Sequence, residues 1–171
     1  MTTKGFFSLC PSCGSNSITY DGVKEYTCPS CGLDFFHNTA AAVGIFLEKK
    51  KSGLFLFIRR ARNPGKGLLD IPGGFVDPGE SAEDALRREI REELDMELED
   101  ISYFVSYPNN YDYKGIIYAT CDFFYRGVIN DLPGSFDKSE IEELLFLDPC
   151  KVKEEECAFH SCANAVQRLL L

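Results

Sequence analysis

Nowhere does this chain carry an apolar run approaching the ~18 residues that a membrane-spanning helix requires. The opening MTTKGFFSLC lacks the apolar core of a signal peptide, so a soluble protein of the reducing cytoplasm is expected. Basic side chains are also in deficit. Lysine and arginine total 18 against 27 acidic residues, a formal charge of −9. That balance disfavours a broad electrostatic grip on nucleic acid, and neither a nucleic-acid nor a membrane partner is expected. An anionic small molecule is still compatible, provided a cation stands between it and the carboxylates. Repeats and low-complexity segments are missing too, so 171 residues suit one ordinary domain and a small appendage.

Cysteine, by contrast, is plentiful. Cys10 and Cys13 form one C-P-S-C-G knuckle, Cys28 and Cys31 a second, and 14 residues separate the two. Each knuckle brings two thiolates within reach of one ion, and a tetrahedral Zn2+ takes four such ligands. Two disulfides in a secreted chain are the alternative. Between the knuckles, GSNSITYDGVKEYT reads as two short strands turning at Asp21-Gly22. Residues 8–34 resemble a zinc ribbon, whose folding energy would come largely from the metal. Cys121, Cys150, Cys157 and Cys162 read as ordinary thiols. A second site joining Cys157, Cys162 and His160 is the alternative, but Ala158, Cys162, Val166 and Leu169 share a helical stripe.

From residue 40 the pattern alternates between strands and helices. AAVGIFLE and LFLFIRRA read as strands about a KKKSG turn, and LLDIPGGFV as a strand broken by Pro72-Gly73-Gly74. Ser81 with Asp84 predicts a capped helix running to about Leu94. LEDISYFVSYP, GIIYATCDFFYRGVI and EIEELLFLD read as further strands, and a closing helix is expected over roughly 151–170. Such an order predicts an α/β sandwich with a mixed sheet.

The first helix has an unusual distribution of charge. At ~100° per residue, Ala82, Leu86, Ile90 and Leu94 share the arc that faces the core. Glu89, Glu92 and Glu93 fall within one sector, with Glu93 between Ala82 and Leu86 in projection. Clustered carboxylates at the edge of a core repel one another and lose hydration. A hard divalent cation offsets that cost.

Gly74, Glu80 and the run Arg88-Glu89-Ile90-Arg91-Glu92-Glu93-Leu94 resemble the Nudix box, G-x5-E-x7-R-E-U-x-E-E-x-G-U with U aliphatic. Only the final glycine departs, being Asp95, at a helix end where a left-handed residue is expected and Asp is tolerated. The resemblance implies a Nudix-type α/β/α sandwich with a mixed sheet over 37–171, preceded by the four-cysteine zinc ribbon over 1–36. It implies that Glu89, Glu92 and Glu93 bind Mg2+ or Mn2+, with the Gly73 carbonyl as a further ligand and Glu89 a candidate base. Arg88 would orient the glutamates, and Glu80 would support the loop. A later acid is often recruited, Glu140 first here, then Glu143 or Asp137. Homodimerisation is a further family expectation.

The implied chemistry is hydrolysis of a nucleoside diphosphate linked to another group, with water activated beside the cation. Arg59 and Arg60, ending the second strand, are candidate phosphate contacts. A ribbon directly before such a domain resembles the NADH pyrophosphatase branch. Two features depart from it. The chain starts at the ribbon, so the branch's common N-terminal extension is not expected. Of the Ser-Gln-Pro-Trp segment that helps bind NAD, Ser106 and Pro108 survive the comparison while the Gln-Pro-Trp core does not, the chain having no tryptophan. In its place SYPNNYDYKGIIY offers Tyr107, Tyr111 and Tyr113, with Asn109 and Asn110, for base stacking and edge reading; an aromatic loop covering the sheet is the other reading. Three functions stay open: hydrolysis of dinucleotides or nucleotide-sugars such as NADH or ADP-ribose, sanitising hydrolysis of nucleoside triphosphates, and non-catalytic nucleotide or RNA binding.

Overall fold

The computed structural model describes residues 7–171, so residues 1–6 of the expected ribbon lie outside it. The chain divides into two compact units, with the boundary between Thr39 and Ala40.

The first unit holds three short antiparallel strands, β1 (Thr19–Tyr20), β2 (Glu25–Thr27) and β3 (Asp34–Phe36), in that order. Asp21 closes the β1–β2 turn. Its Oδ1 accepts from the backbone amides of Val23, Lys24 and Glu25 at 2.7, 2.8 and 3.0 Å. The knuckles repeat one geometry. Gly14 donates to the Cys10 carbonyl and Gly32 to the Cys28 carbonyl, both glycines at φ +73°. That left-handed conformation is why glycine follows the second cysteine in each. Tyr26, 1% exposed, packs against Tyr20, Phe7 and Phe35 as the unit's small core.

The second unit is built on a mixed sheet. Its strands are β4 (Ala40–Lys49), β5 (Phe55–Arg60), β6 (Leu69–Asp70), β7 (Gly73–Phe75), β8 (Ser102–Tyr113), β9 (Ile116–Ile129) and β10 (Ile141–Leu147). The main path runs β10-β5-β4-β9-β8, with β6 on β5 and β7 on β4. Among these strands β4 and β9 pair in parallel, at the centre, and the other pairs are antiparallel. Side-chain alternation then feeds two cores. Val43, Ile45, Leu47, Leu56 and Ile58 pack on Leu86, Ile90 and Leu94 of α1 (Ala82–Leu94). Phe46, Phe55, Phe57 and Phe124 pack on Cys162, Ala163 and Val166 of α2 (His160–Leu169). The sheet is thus sandwiched between two helices, as the sequence predicted. Each fully buried Leu or Ile contributes about 1.5–3 kcal/mol. Among the described residues no helix is long and apolar enough to cross a membrane.

Two expectations are corrected here. The closing helix starts at His160, not near 151. The preceding residues form two single 3-10 turns, and Cys157 and Ala158 pair with Leu69 instead, Ala158 N donating to its carbonyl at 2.7 Å. Backbone pairing captured a segment that the apolar spacing had assigned to the helix, so Ala158 leaves the stripe. Second, SYPNNYDY is not a loop. It is the second half of β8 in a long hairpin that turns at Lys114-Gly115, both at positive φ. A two-residue turn of that kind matches strand twist, and it lets the pairing continue to Tyr113.

Candidate active site and metal centre

In the first unit the four sulfurs of Cys10, Cys13, Cys28 and Cys31 all lie within 4.8 Å of one another. Cys10 Sγ to Cys31 Sγ and Cys13 Sγ to Cys28 Sγ are both 3.7 Å. Four thiolates bound at ~2.3 Å to one tetrahedral ion stand about 3.8 Å apart, so the donor set fits Zn2+. The Cys13 backbone amide pulls the Cys10 thiol down to about 7. Cys13, despite the Ser15 amide, is pushed up to about 12 by the neighbouring sulfurs, as four crowded thiols disfavour a second negative charge. Cys157 and Cys162 are buried thiols, and among the described residues no other group of Cys, His and carboxylates converges as closely.

The second unit carries a cleft of about 300 Å3 between β7, α1, the far half of the β8–β9 hairpin and the start of α2. Glu89, Glu92 and Glu93 line one side together with Gly73 and Gly74. The box acquires its shape at the β7–α1 junction. Ser81 caps α1, its Oγ accepting from Asp84 N at 3.1 Å, and Asp95 ends it in the left-handed conformation at φ +52°. Gly73, at φ +147°, lies against β4 so closely that a Cβ would meet the Val43 carbonyl. Its N–H donates to Glu93 Oε2 at 3.0 Å.

Glu93 is 5% exposed. Burial pushes its carboxyl well above the usual range, opposed by the Gly73 amide and reinforced by Glu89, Glu140 and Asp70. Burial also raises Glu89, against the pull of Arg88 and with the charges of Glu92 and Glu140 adding to it. Arg88 organises this side. It forms a two-pronged pair with Glu80 at 2.8 and 3.0 Å, reaches Glu89 at 2.8 Å and Glu92 at 3.2 Å, and donates to the Phe75 carbonyl at 3.0 Å. Glu80 therefore positions the arginine, and through it the glutamates. Of the three later acids, Glu140 lines the cleft, paired with Arg62 at 2.6 Å. Glu143 pairs with Arg59, and Asp137 binds Ser139 N through its side chain.

Seven carboxylates and two arginines, Arg60 and Arg62, line the cleft. The donor atoms at the glutamate side are all hard oxygens, and two of the acids are lifted by burial and mutual repulsion. Such a set fits a hard divalent cation. Arg59 does not reach the cleft, binding Glu143 at 3.2 Å and the Gly67 carbonyl at 2.9 Å. Arg60 does, tied to Asp70 at 2.8 Å and the Pro64 carbonyl at 2.7 Å.

The tyrosines separate in the same way. Tyr107, Asn109 and Tyr111 share the β8 face that pairs with Asp122, Thr120 and Tyr118 of β9. Tyr111 lines the cleft and stacks on Phe159, centroids 5.5 Å apart. Tyr107 instead packs in the α2-side core beside Phe124, and Tyr113 is exposed under Lys114. Asp70, Thr120, Asp122, Phe159 and Ser161 line the cleft without having been singled out in the sequence. A signal existed for two of them. Single carboxylates within LLDIP and ATCDFF are costly in a strand core unless a partner meets them.

Two expected results follow from this geometry. A Cβ on Gly74 would sit 2.5 Å from Glu89 Cδ, at the movable end of that side chain. Gly74→Ala should therefore fold normally yet turn substrate over about 100-fold more slowly, because a ~1 Å displacement at a reacting centre has that effect. Thermal melting and steady-state kinetics on one sample check both halves. The Arg88 bond lowers the Glu80 carboxyl below its usual range. Its stabilisation is present above the ordinary value of ~4.3 and is lost as pH falls through the lowered one. Glu80→Gln should accordingly narrow the difference in Tm between pH 7 and pH 3, and an unchanged difference would remove Glu80 from that role.

Comparison with known proteins agrees with this geometry. The family profile for the NUDIX domain matches residues 37–162. An NAD-capped RNA hydrolase, NudC, of Deinococcus radiodurans is 28% identical over 135 residues, covering 77% of this chain and 47% of the relative. An ADP-ribose pyrophosphatase of Methanocaldococcus jannaschii is 44% identical over 62 residues, 36% of this chain and 35% of that one. The chain thus spans half or less of these relatives. Among solved structures, a MutT NUDIX hydrolase of Burkholderia pseudomallei superposes with TM-score 0.65 at 23% identity, covering 77% of this chain and 98% of the other. The NUDIX domain of Shewanella oneidensis NrtR, solved with ADP ribose, gives 0.63 at 17% identity, over 84% and 91%. At such identities the superpositions speak for the fold alone. With its box assembled around a carboxylate-lined cleft and the family profile spanning most of its length, the chain belongs to the NUDIX domain family.

Proposed function

We propose that the protein is a divalent-metal-dependent pyrophosphohydrolase that cleaves the diphosphate of a dinucleotide or nucleotide-sugar such as NADH or ADP-ribose. The observation that carries this reading is the excess of carboxylates over arginines in the cleft, around the 5%-exposed Glu93. An anionic diphosphate enters such a site only with cations. Glu89, Glu92 and Glu93 would hold Mg2+ or Mn2+, with the Gly73 carbonyl and Glu140. When bound, the cation supplies charge neutralisation and makes water more acidic. Arg88, anchored by Glu80 and the Phe75 carbonyl, fixes the glutamates' directions. Glu89, lining the cleft and oriented by Arg88 at 2.8 Å, is the carboxylate placed to accept a proton from the attacking water. Arg60 and Arg62 flank the position of the phosphates, and Tyr111 with Phe159 offers an aromatic surface for a ring.

The relatives named for NAD-capped RNA and for ADP-ribose support a diphosphate between two nucleoside-like groups. The formal charge of −9 favours the free small molecule over one attached to RNA. Zn2+ in the ribbon would be structural. Eight free thiols, four of them converging on one point, suit the reducing cytoplasm. A homodimer through the exposed Ile116, Ile117 and Tyr118 is part of the same proposal.

The test is a substrate panel with Mg2+ or Mn2+: NADH, NAD+, ADP-ribose, an NAD-capped RNA and the common triphosphates, with products separated chromatographically. Release of AMP and a second monophosphate from NADH or ADP-ribose supports the reading. Turnover confined to triphosphates, with pyrophosphate released, replaces it with the sanitising one.

A further inference from the structure

The cleft is acidic at one end and aromatic at the other, and the aromatic end contains a carboxylate that hydrolysis does not need. Asp122 on β9 is 9% exposed. One oxygen accepts from Thr120 Oγ1 at 2.6 Å, the other from Ser161 Oγ at 2.5 Å. Both hydroxyls are also buried, at 3% and 1% exposure, and all three residues line the cleft. Neighbouring Asp70 has the Arg60 guanidinium, whereas among the described residues the side-chain partners of Asp122 are these two neutral hydroxyls.

Each oxygen of a carboxyl group has two lone pairs able to accept a hydrogen bond. The two hydroxyls occupy one on each oxygen, leaving acceptor capacity within a space that a ligand can enter. Sheet register sets what stands around it. Asp122 stands between Ala42 of β4 and Tyr107 of β8, and Asn109 pairs with Thr120 across β8–β9. Tyr107 packs toward the α2-side core, and small Ala42 faces the carboxyl from the other strand. The Tyr111–Phe159 stack forms the wall. Asp70 on the same side is already engaged by Arg60, whose guanidinium lies over Phe159 at 4.9 Å. Among the described residues, Asp122 is thus the carboxylate at this end that has no cationic partner, beside an aromatic wall that suits a heterocycle carrying an N–H donor.

We propose that Asp122 is a specificity residue, accepting a hydrogen bond from an amide or amino N–H on the substrate's heterocycle while the ring lies against Tyr111 and Phe159. The proposal rests on the hydrolase reading above. A ligand presenting a carboxylate or carbonyl to Asp122 would meet like charge or a lone pair, and a buried acceptor left unmatched discriminates strongly. Ser161, at the start of α2, holds the carboxyl in place and ties the helix to the sheet.

A dinucleotide has two such donors, a carboxamide and an adenine amino group, and the test separates them. The probes are NAD+, its deamidated analogue bearing a carboxylate in place of the carboxamide, and its hypoxanthine analogue bearing an oxo group in place of the amine. Wild type should prefer NAD+ over one of the two analogues by about tenfold or more in kcat/KM. Asp122→Asn should shrink that one ratio at least severalfold. A merely structural aspartate would lower Tm and all three rates together and leave both ratios where they were, which overturns the proposal. Calorimetric binding of the three compounds to wild type with Ca2+ provides the second measurement. Equal affinities overturn the proposal even if the variant does not fold. Discrimination in binding with no hydrolysis of any compound supports the Asp122 assignment and overturns the hydrolase reading instead.

Discussion

Glu93→Gln is expected to fold as well as wild type and to lose about three orders of magnitude in turnover at saturating Mg2+. Both halves come from its surroundings. The carboxyl is buried against α1's apolar arc, receives one backbone N–H from Gly73, and is pushed upward by Glu89, Glu140 and Asp70. An amide of the same size keeps the Gly73 hydrogen bond through its oxygen and ends the repulsion with Glu89 and Glu140, which offsets the need to place its N–H donors, so the fold should hold. What it cannot supply is an anionic oxygen for a cation. Glu92→Gln should also slow turnover, while leaving Arg88 its pairs with Glu80 and Glu89. Rates near wild type in both variants would refute the placement of the metal. Melting curves with and without Mg2+ add a separate readout: the cation should raise the Tm of wild type and raise that of Glu93→Gln much less.

Removing the metal proposed for the four cysteines should unfold the first unit while the second keeps its own transition. Among the described residues, the first unit's core centres on Tyr26 with Tyr20, Phe7 and Phe35, on strands of two and three residues. Domains this small rarely stand without a staple. Apparent binding energies of structural zinc in small peptides reach roughly 10–16 kcal/mol, several times what such a core supplies. A strong chelator, or Cys28→Ser at a fully buried position among the four converging sulfurs, should therefore abolish the near-ultraviolet signal of the Tyr20–Tyr26 pair. The second unit has two helix-covered cores of its own and should still melt cooperatively. A melting profile unchanged after complete metal removal would count against a structural ion.

The local features were determined by the sequence alone, because each depends on neighbours a few residues apart. Knuckle spacing places two thiolates on one tight turn. The 3.6-residue period puts Glu89, Glu92 and Glu93 on one sector of α1, and Ser81 and Asp95 mark its ends. Strand alternation foretold a mixed sheet with a helix on each face. What depends on register across the sheet was decided only by the tertiary structure. Arg59 and Arg60 are indistinguishable in sequence, yet Ile58 pairs with Asp70, which makes Arg60 the diagonal neighbour of Asp70 and leaves Arg59 to Glu143. Tyr107, Tyr111 and Tyr113 share one strand parity, but α2 covers the first, the cleft receives the second and solvent the third. Asp122, Thr120 and Ser161 meet only because β9 and the start of α2, 39 residues apart at Asp122 and Ser161, pack together. The sequence named the chemistry of the glutamates, whereas the shape of the space beside them came from long-range packing.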